Sequence, residues 1–485
     1  MSNIIPLLHQ VVWGIPAITA ILGVGCFYTI RTKFAQLRLL PNGLKVFAKQ
    51  MVQSDSNSKD ITPYQAFCTS LGATVGTGNI IGVAGAISIG GPGAVFWMWV
   101  SAILGMIIKY AEALLAVHYQ QKEDTDTISA GPMYIIRNGM KRKWLYLSYV
   151  YAFLGVVASF GVGNAVQINA AVTAVKNTVT TLGSTMQNHW IWVLGFLSAI
   201  LISLVLAGGA KRITTIAELL VPVVSAAYIL LCMGVLAACW REIDNAIIAI
   251  VRGAFSPIAI TGGTVGSIFQ TVRVGIARGV FTNEAGLGTA GIAHGSTKVE
   301  HPAMQGVLGI VEVFLDTIVI CTLTAFVILC SDIPIAYGTD MGGELTTAAF
   351  ISIFGKWIVI PLGLIIICLA VATIIGWGLY GLKCAQYIFG NQDGKMFVIL
   401  QALAAFAGAV TQSSKIWLLA EVVNGLMMFP NLILLVHQSN IVKKLTQEYK
   451  GKLRKNKRAI FRKRKVLHKS FFRAAISDSE SRRGV

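Results

Sequence analysis

The sequence predicts an all-α, polytopic membrane protein with about eleven transmembrane helices. Three observations carry that expectation. Of 485 residues, 55% are hydrophobic and only 13% are charged, about half the roughly 25% charge that a soluble protein needs. The apolar residues are gathered into long runs rather than alternated. The basic residues between those runs alternate from loop to loop. Together these argue against a soluble enzyme and against disorder.

The runs fall at about 11–30, 64–90, 93–119, 145–172, 190–208, 214–240, 247–280, 303–330, 350–388, 396–412 and 416–437. A span needs roughly 20 apolar residues to cross a hydrocarbon core, so about eleven use some 220, and the chain has room for them. The ninth is too long for one untilted span, so part of it should form a short helix on a membrane surface. No Lys or Arg precedes Arg31, so the first run lacks a signal peptide's basic start and reads as a retained span.

Loops after odd-numbered runs are basic. They carry Arg31, Lys33, Arg38, Lys45 and Lys49; then Lys122, Arg137, Lys141, Arg142 and Lys143; then Lys211 and Arg212; then Arg278 and Lys298; then Lys383 and Lys395. The opposite loops hold little beyond Lys176, Arg241, Lys356 and Lys415. Basic loops stay in the cytoplasm, which puts the N-terminus outside and the C-terminus inside.

Two runs are interrupted by glycine. One holds Leu71-Gly72-Ala73-Thr74-Val75-Gly76-Thr77-Gly78-Asn79; the other holds Thr261-Gly262-Gly263-Thr264-Val265-Gly266-Ser267. Glycine at this density weakens a helix, and backbone freed in lipid must be satisfied inside the protein. The runs lie five spans apart and so enter from opposite sides. Matching broken helices in two oppositely oriented halves point to an inverted-repeat transporter. The expected layout is an extra helix and basic loop at 1–62, a first five-helix repeat at 63–242, an inverted repeat at 243–438, and a basic cytoplasmic tail at 439–485. The bland alternative is that the glycines only let helices pack closely.

Several blocks carry a resemblance. Gly90-Gly91-Pro92-Gly93-Ala94-Val95-Phe96-Trp97-Met98-Trp99-Val100-Ser101-Ala102-Ile103-Leu104-Gly105 resembles the signature of the alanine or glycine:cation symporters. Arg278-Gly279-Val280-Phe281-Thr282-Asn283-Glu284-Ala285-Gly286-Leu287-Gly288 resembles a second block of that family. Gly131-Pro132-Met133-Tyr134 and Asp316-Thr317 resemble further family positions. The family is similar in fold to the leucine-transporter superfamily. The resemblance implies a 5+5 inverted repeat and sodium-coupled uptake of alanine, glycine or a close relative. It also implies a bacterial or archaeal plasma membrane.

A broken helix exposes N–H groups that favour a carboxylate and C=O groups that suit a hard cation. The amides near Thr77, Gly78 and Asn79 are therefore expected to bind the substrate carboxylate. The resemblance implies sodium held by carbonyls of Gly72 and Val75, with the Thr373 hydroxyl and the Ala370 carbonyl opposite. Carbonyls of Thr261-Gly262-Gly263 and the side-chain amide of Gln167 are candidates for the substrate ammonium. Trp377, four residues after Thr373, could wall the pocket. The structural alternatives are a hydroxyl bonded to its own helix for Thr373, helix-to-helix bonding for Gln167, and lipid packing for Trp377. Lys109 and Glu112 read as a structural pair on one helix face, Glu312 and Asp316 as gate or network residues or as a pair with one member protonated, and Arg278 with Glu284 as either a cytoplasmic gate pair or a stabiliser of the helix end.

The net charge is +19, of which sixteen Lys or Arg and three acids lie between Ile441 and Val485. A basic cluster such as Arg462-Lys463-Arg464-Lys465 beside a final span reads as anionic-lipid contact, and nucleic acid is not expected. The eight cysteines form no C-x-x-C pair, so no disulfide framework or metal knuckle is expected. No H-E-x-x-H or G-x-S-x-G occurs, and Gly376-x-x-x-x-Gly381-Leu382-Lys383 misplaces the lysine of a phosphate loop. The expectation is a secondary transporter with no cofactor beyond its coupling ion. Proton-coupled symport and an amino-acid sensor without flux are the alternatives.

Overall fold

In a hydrocarbon core no water meets a free N–H or C=O, so a spanning chain must bond its backbone to itself. Helix dominates accordingly in our computed structural model. It describes residues 4–53, 60–122, 128–262, 265, 267–339, 341–390, 394–411 and 414–455.

The chain opens with α1 (Ile4–Val12), α2 (Ile15–Arg31) and α3 (Ala35–Gln53). Next come α4 (Pro63–Thr74), α5 (Ile81–Gly90), α6 (Gly93–His118), α7 (Pro132–Gly139), α8 (Leu145–Phe160) and α9 (Val166–Thr181). A two-residue antiparallel ribbon pairs Gln121–Lys122 with Ile128–Ser129. Then follow α10 (Asn188–Leu206), α11 (Gly209–Ala238), α12 (Ile243–Phe255), α13 (Pro257–Thr261), α14 (Ile268–Asn283) and α15 (Thr289–His294). The rest is α16 (Pro302–Val313), α17 (Thr322–Cys330), α18 (Gly342–Phe354), α19 (Val359–Phe389), α20 (Gly394–Val410) and α21 (Ser414–His437). Residues 440–455, helical, belong to a second unit. Arg462 to Lys465 lie outside the described residues.

Eight of the described helices are long and apolar enough to cross a membrane. The count is nine when α4 and α5, bent by 54° at the first glycine-rich break, are taken as one span. The expectation was about eleven. The two runs that fall short are 396–412, which forms the 17-residue α20, and 247–280. The latter divides into α12, α13 and α14 because Pro257 follows the helix-ending Ser256 and Gly262 turns left-handed at φ +62. The long ninth run also divides: Gly355, at φ +78, separates α18 from the 31-residue α19.

The second interruption inside the helical core lies elsewhere than expected. The chain leaves α14 at Asn283, passes Glu284 at φ +54, Gly286 at φ +99 and Gly288 at φ +83, and re-enters helix at Thr289. A segment of 284–288 thus divides α14 from α15.

Its freed backbone is satisfied by three buried side chains. The Glu112 carboxylate accepts from Gly286 N at 2.9 Å and Gly288 N at 3.1 Å. Asn431 donates to Gly286 O at 2.8 Å and to Glu112 at 2.7 Å. Tyr151 donates to Leu287 O at 2.9 Å.

A second node lies on α16. Glu312 accepts from Lys109 Nζ at 2.9 Å, from Ser70 Oγ at 2.9 Å, and meets His294 Nε2 at 2.8 Å. Lys109 Nζ also donates to Asn283 O at 2.6 Å. Lys109 therefore bonds across helices to Glu312 and not to Glu112 on its own helix. At 2.9 Å from a lysine, and shared between α4, α6 and α15, Glu312 is a structural weld. His294 Nδ1 in turn meets Gln305 at 2.8 Å. Glu312, Lys109, Ser70, His294 and Gln305 are all buried.

Glycine sets the approach of α19 to α4. A Cβ at Gly376 would lie 2.7 Å from the Ala73 Cβ and 2.9 Å from Thr69 O. Only a missing side chain allows that packing. The outer face of α10 is the reverse: Trp190, Trp192, Phe196 and Leu204 are exposed, as suits lipid.

The node generates a stability prediction. Lys109→Met leaves the Glu312 charge buried without its cation, which should cost about 3–5 kcal/mol. The measurement is the Tm of detergent-purified protein. Lys109→Met with Glu312→Gln should recover more than half of the loss; equal destabilisation by single and double variants would show that the ion pair does not couple the two sites.

A candidate site where two interrupted helices meet

The first break is built by the sequence Val75-Gly76-Thr77-Gly78-Asn79. Val75 closes α4 at ψ 88, and Gly76 is extended at φ −133. Thr77–Asn79 form one 3-10 turn before α5. The first N–H groups of such a turn have no helical acceptor behind them, so the Thr77 and Gly78 amides head it. Asn79 fixes the turn from inside. Its Oδ1 accepts from Gly76 N at 3.0 Å, and its Nδ2 donates to Asp316 Oδ1 at 2.7 Å. The Asn79 side chain is thus committed to the fold, and its backbone N–H donates to Gly76 O at 3.3 Å.

Gln167 reaches this turn from α9. Thr77 Oγ1 donates to Gln167 Oε1 at 2.9 Å, and Gln167 Nε2 donates to Val162 O at 3.2 Å. That carbonyl lies within a π-helical turn, Gly161–Ala165, between α8 and α9. Such turns widen the helix and frequently mark functional positions.

The oxygens named for a cation lie on the facing sides of α4 and α19. Thr373 Oγ1 donates to Gly72 O at 3.1 Å. The last carbonyls of α4 have no helical donor ahead of them, which leaves Gly72 and Val75 able to turn to another partner. A side chain at Gly76 would collide with Thr373 Oγ1. Ala370 is fully buried one turn earlier on α19. Gly72 and Thr373 are brought into contact, with Val75 and Ala370 on the same two segments. The set is all oxygen and uncharged, the donor chemistry of a hard cation.

Thr261 and Gly262 are not brought there. Thr261 is buried, bonds Pro257 O at 2.8 Å, and packs its methyl against Gly91 beyond the far end of α5. The ten residues of α5 place about 15 Å between it and the first break. Gly262 follows it and is exposed. Gly263 lies outside the described residues, as do Thr264 and Gly266. The segment that faces the first break belongs to α14: a Cβ at Gly78 would lie 3.6 Å from Thr282 and 3.7 Å from Phe281. The residues leading into 284–288 therefore stand where 261–263 were expected. The signal for them was present in Asn283-Glu284-Ala285-Gly286-Leu287-Gly288, two glycines beside a buried acid.

Trp377 is fully buried between the π turn and the second break. Its Nε1 donates to Glu284 Oε1 at 2.8 Å, and Gly163 is kept free of a side chain by its ring. It is neither lipid-facing nor in an aromatic belt. Glu284 also accepts from Thr289 at 2.7 Å. It does not pair with Arg278, which instead meets Glu421 on α21 at 3.1 Å, together with His9 at 2.6 Å. Asp316 accepts from Asn79 and from Thr317 at 2.7 Å. It was named as a network residue, and that network is the first break.

Among the described residues no group of three or more His, Cys, Asp or Glu could hold a metal ion. The site offers hydrogen bonds, oxygens and helix ends, and its chemistry is binding.

Comparison with known proteins agrees with this chemistry. The sodium:alanine symporter family model matches residues 1–463. The chain is 37% identical over 462 residues to the sodium/alanine symporter AgcS of Methanococcus maripaludis, covering 94% of this chain and 98% of that one. It is 33% identical over 470 residues to the "Probable sodium/glutamine symporter GlnT" of Bacillus subtilis, covering 96% and 94%. It is 32% identical over 451 residues to the amino-acid carrier protein AlsT of the same organism, covering 92% of each. With two interrupted helices meeting at a buried polar site, and a family match along nearly its whole length, the chain belongs to the sodium:alanine symporter family and is a transporter, not an enzyme.

Proposed function

We propose that this protein is a sodium-coupled symporter that takes up a small neutral amino acid, alanine or glycine in the first place, by alternating access. One observation carries the reading: the first break presents two chemistries within a few residues. The Thr77 and Gly78 amides head a turn, as an α-carboxylate requires. The oxygens of Gly72, Val75, Ala370 and Thr373 line the preceding segment, as sodium requires. One interrupted helix can thus bind both, so each ligand stabilises the geometry that the other uses. Linkage makes that help reciprocal.

Gln167 Oε1 accepts from Thr77 and keeps a second lone pair, which suits the substrate ammonium. Trp377, held by Glu284, forms one wall of the pocket. Eleven spans fit this reading, with α14 and α20 crossing as short or tilted helices. The interrupted pair α4/α5 then opens the half 63–242, and α14/α15 lies in the half 243–438. Alternation of basic loops supports a cytoplasmic C-terminus in a bacterial or archaeal plasma membrane. The tail at 439–485 would then lie against anionic lipid.

A second reading has its own observation. Asp316 is buried at the first break, and among the described residues no Lys, Arg or His pairs with it. A carboxylate so placed could carry a proton in place of sodium as the driving ion. An amino-acid sensor without flux is the reading left if binding occurs and transport does not.

Labelled alanine uptake into proteoliposomes separates these readings. Accumulation should follow an imposed sodium gradient and vanish when potassium replaces sodium. Accumulation under a proton gradient alone would move the coupling to Asp316.

Thr373→Val removes one oxygen at constant shape. It should raise the sodium concentration for half-maximal uptake about tenfold, and an unchanged sodium dependence would remove Thr373 from the ion site.

Gln167→Ala should weaken alanine binding by about 1–3 kcal/mol with the protein still folded in the membrane. Isothermal binding alongside size-exclusion profiles checks both halves of that statement.

A further inference from the structure

Asn424 lies in the middle of α21 and is 1% exposed. Neither its Nδ2 nor its Oδ1 has a hydrogen-bond partner. It is alone among the described residues in having a whole buried carboxamide open. A buried amide left unmade carries its full desolvation penalty, and no water in the bilayer relieves it. An aliphatic side chain would serve better if packing were the only demand.

Its position is fixed by its neighbours on the helix. Ala420 meets Gly161, Met427 approaches Gly155, Glu421 pairs with Arg278, and Asn431 donates to Gly286 O. Asn424 is four residues from Ala420 and three from both Glu421 and Met427, so it shares this inward face. Two side-chain bonds tie the α14–α15 segment to α21, Arg278 to Glu421 and Asn431 to Gly286 O. Asn424 lies between these two bonds along α21. Between Arg278 and Gly286 on the other segment, Thr282 and Phe281 face Gly78 of the first break. The open carboxamide therefore lies on the face of α21 that packs on the π turn, between its two ties to the segment that meets the first break.

We infer that Asn424 is a specificity-determining residue that hydrogen-bonds a polar side chain of the substrate, and that the accepted class includes neutral amino acids with a carboxamide or hydroxyl group. This rests on reading the meeting point as the substrate site. An amide with donor and acceptor both open complements a carboxamide in both directions and a hydroxyl in one. Alanine leaves it unpaired and gains nothing from it.

The test is competition in proteoliposomes of the full chain. Unlabelled L-glutamine and L-serine should compete with labelled alanine. Asn424→Leu should weaken both competitors about tenfold or more, while the KM for alanine moves less than about threefold. In purified, ligand-free protein Asn424→Leu should raise Tm, because the unpaired amide is gone, and the Tm rise that saturating glutamine gives the wild type should shrink. Asn424→Gln, which keeps the carboxamide, should retain part of the competition. Equal weakening of alanine, glutamine and serine would overturn the inference, as would an unchanged ratio or a wild type that binds neither polar amino acid. If the wild type fails to accumulate alanine yet glutamine raises Tm in an Asn424-dependent way, the transport reading falls and this one stands.

Discussion

A single carboxylate, that of Glu312, ties four helices together. It takes the Lys109 ammonium from α6, the Ser70 hydroxyl from α4 and the His294 ring from α15. Lys109 passes the connection on to Asn283 O, the last residue of α14. A charge in this position has no solvent to fall back on, so the partners hold one arrangement or lose several kcal/mol. Both interrupted helices are anchored to α6 and α16 through this one point. The site at Gly76 to Gly78 exists because the halves on either side of each break are fixed from elsewhere.

The two breaks are not equivalent. At 284–288 the protein supplies its own partners: Glu112, Asn431, Tyr151 and Lys109 occupy the freed backbone. At 76–79 the side-chain partners lie inside the turn, through Asn79 and Asp316, and the leading amides and trailing carbonyls are the ends that remain. The second break is closed by side chains from other helices, and the first is the binding element in the function proposed above. On that reading the two broken helices divide two tasks, shape and recognition, that their glycine content alone does not separate.

The buried acids follow the same division. Among the described residues each has a distinct duty: Glu112 caps the second break, Glu284 orients Trp377, Glu312 welds the helices, and Asp316 holds Asn79. Intramembrane acids mark function by default. Here each acts through geometry it imposes on others. Arg278 and Glu421, with His9, form a separate cluster that fastens α1 to α14 and α21.

Composition and apolar run length were enough to establish a helical membrane protein, because the bilayer permits few other answers. The glycine density at 72–78 pointed to the first break, and α4 does end there at Thr74. Gly72, Thr373, Thr77 and Gln167 were legible as candidates, and the fold does bring them together. What sequence could not supply was distance. The glycines at 262–266 and those at 286–288 look alike in a chain, yet one set lies about 15 Å along α5 from the other's neighbourhood. Lys109 and Glu112 are three residues apart and share a helical face, but the lower-energy partner for each lies across a helix interface. The long-range partners of a buried charge are set by which helices pack, and packing is a property of the whole chain. The bilayer's demand for satisfied backbone could be read from local sequence, while the identity of each satisfying group was decided only when the helices met.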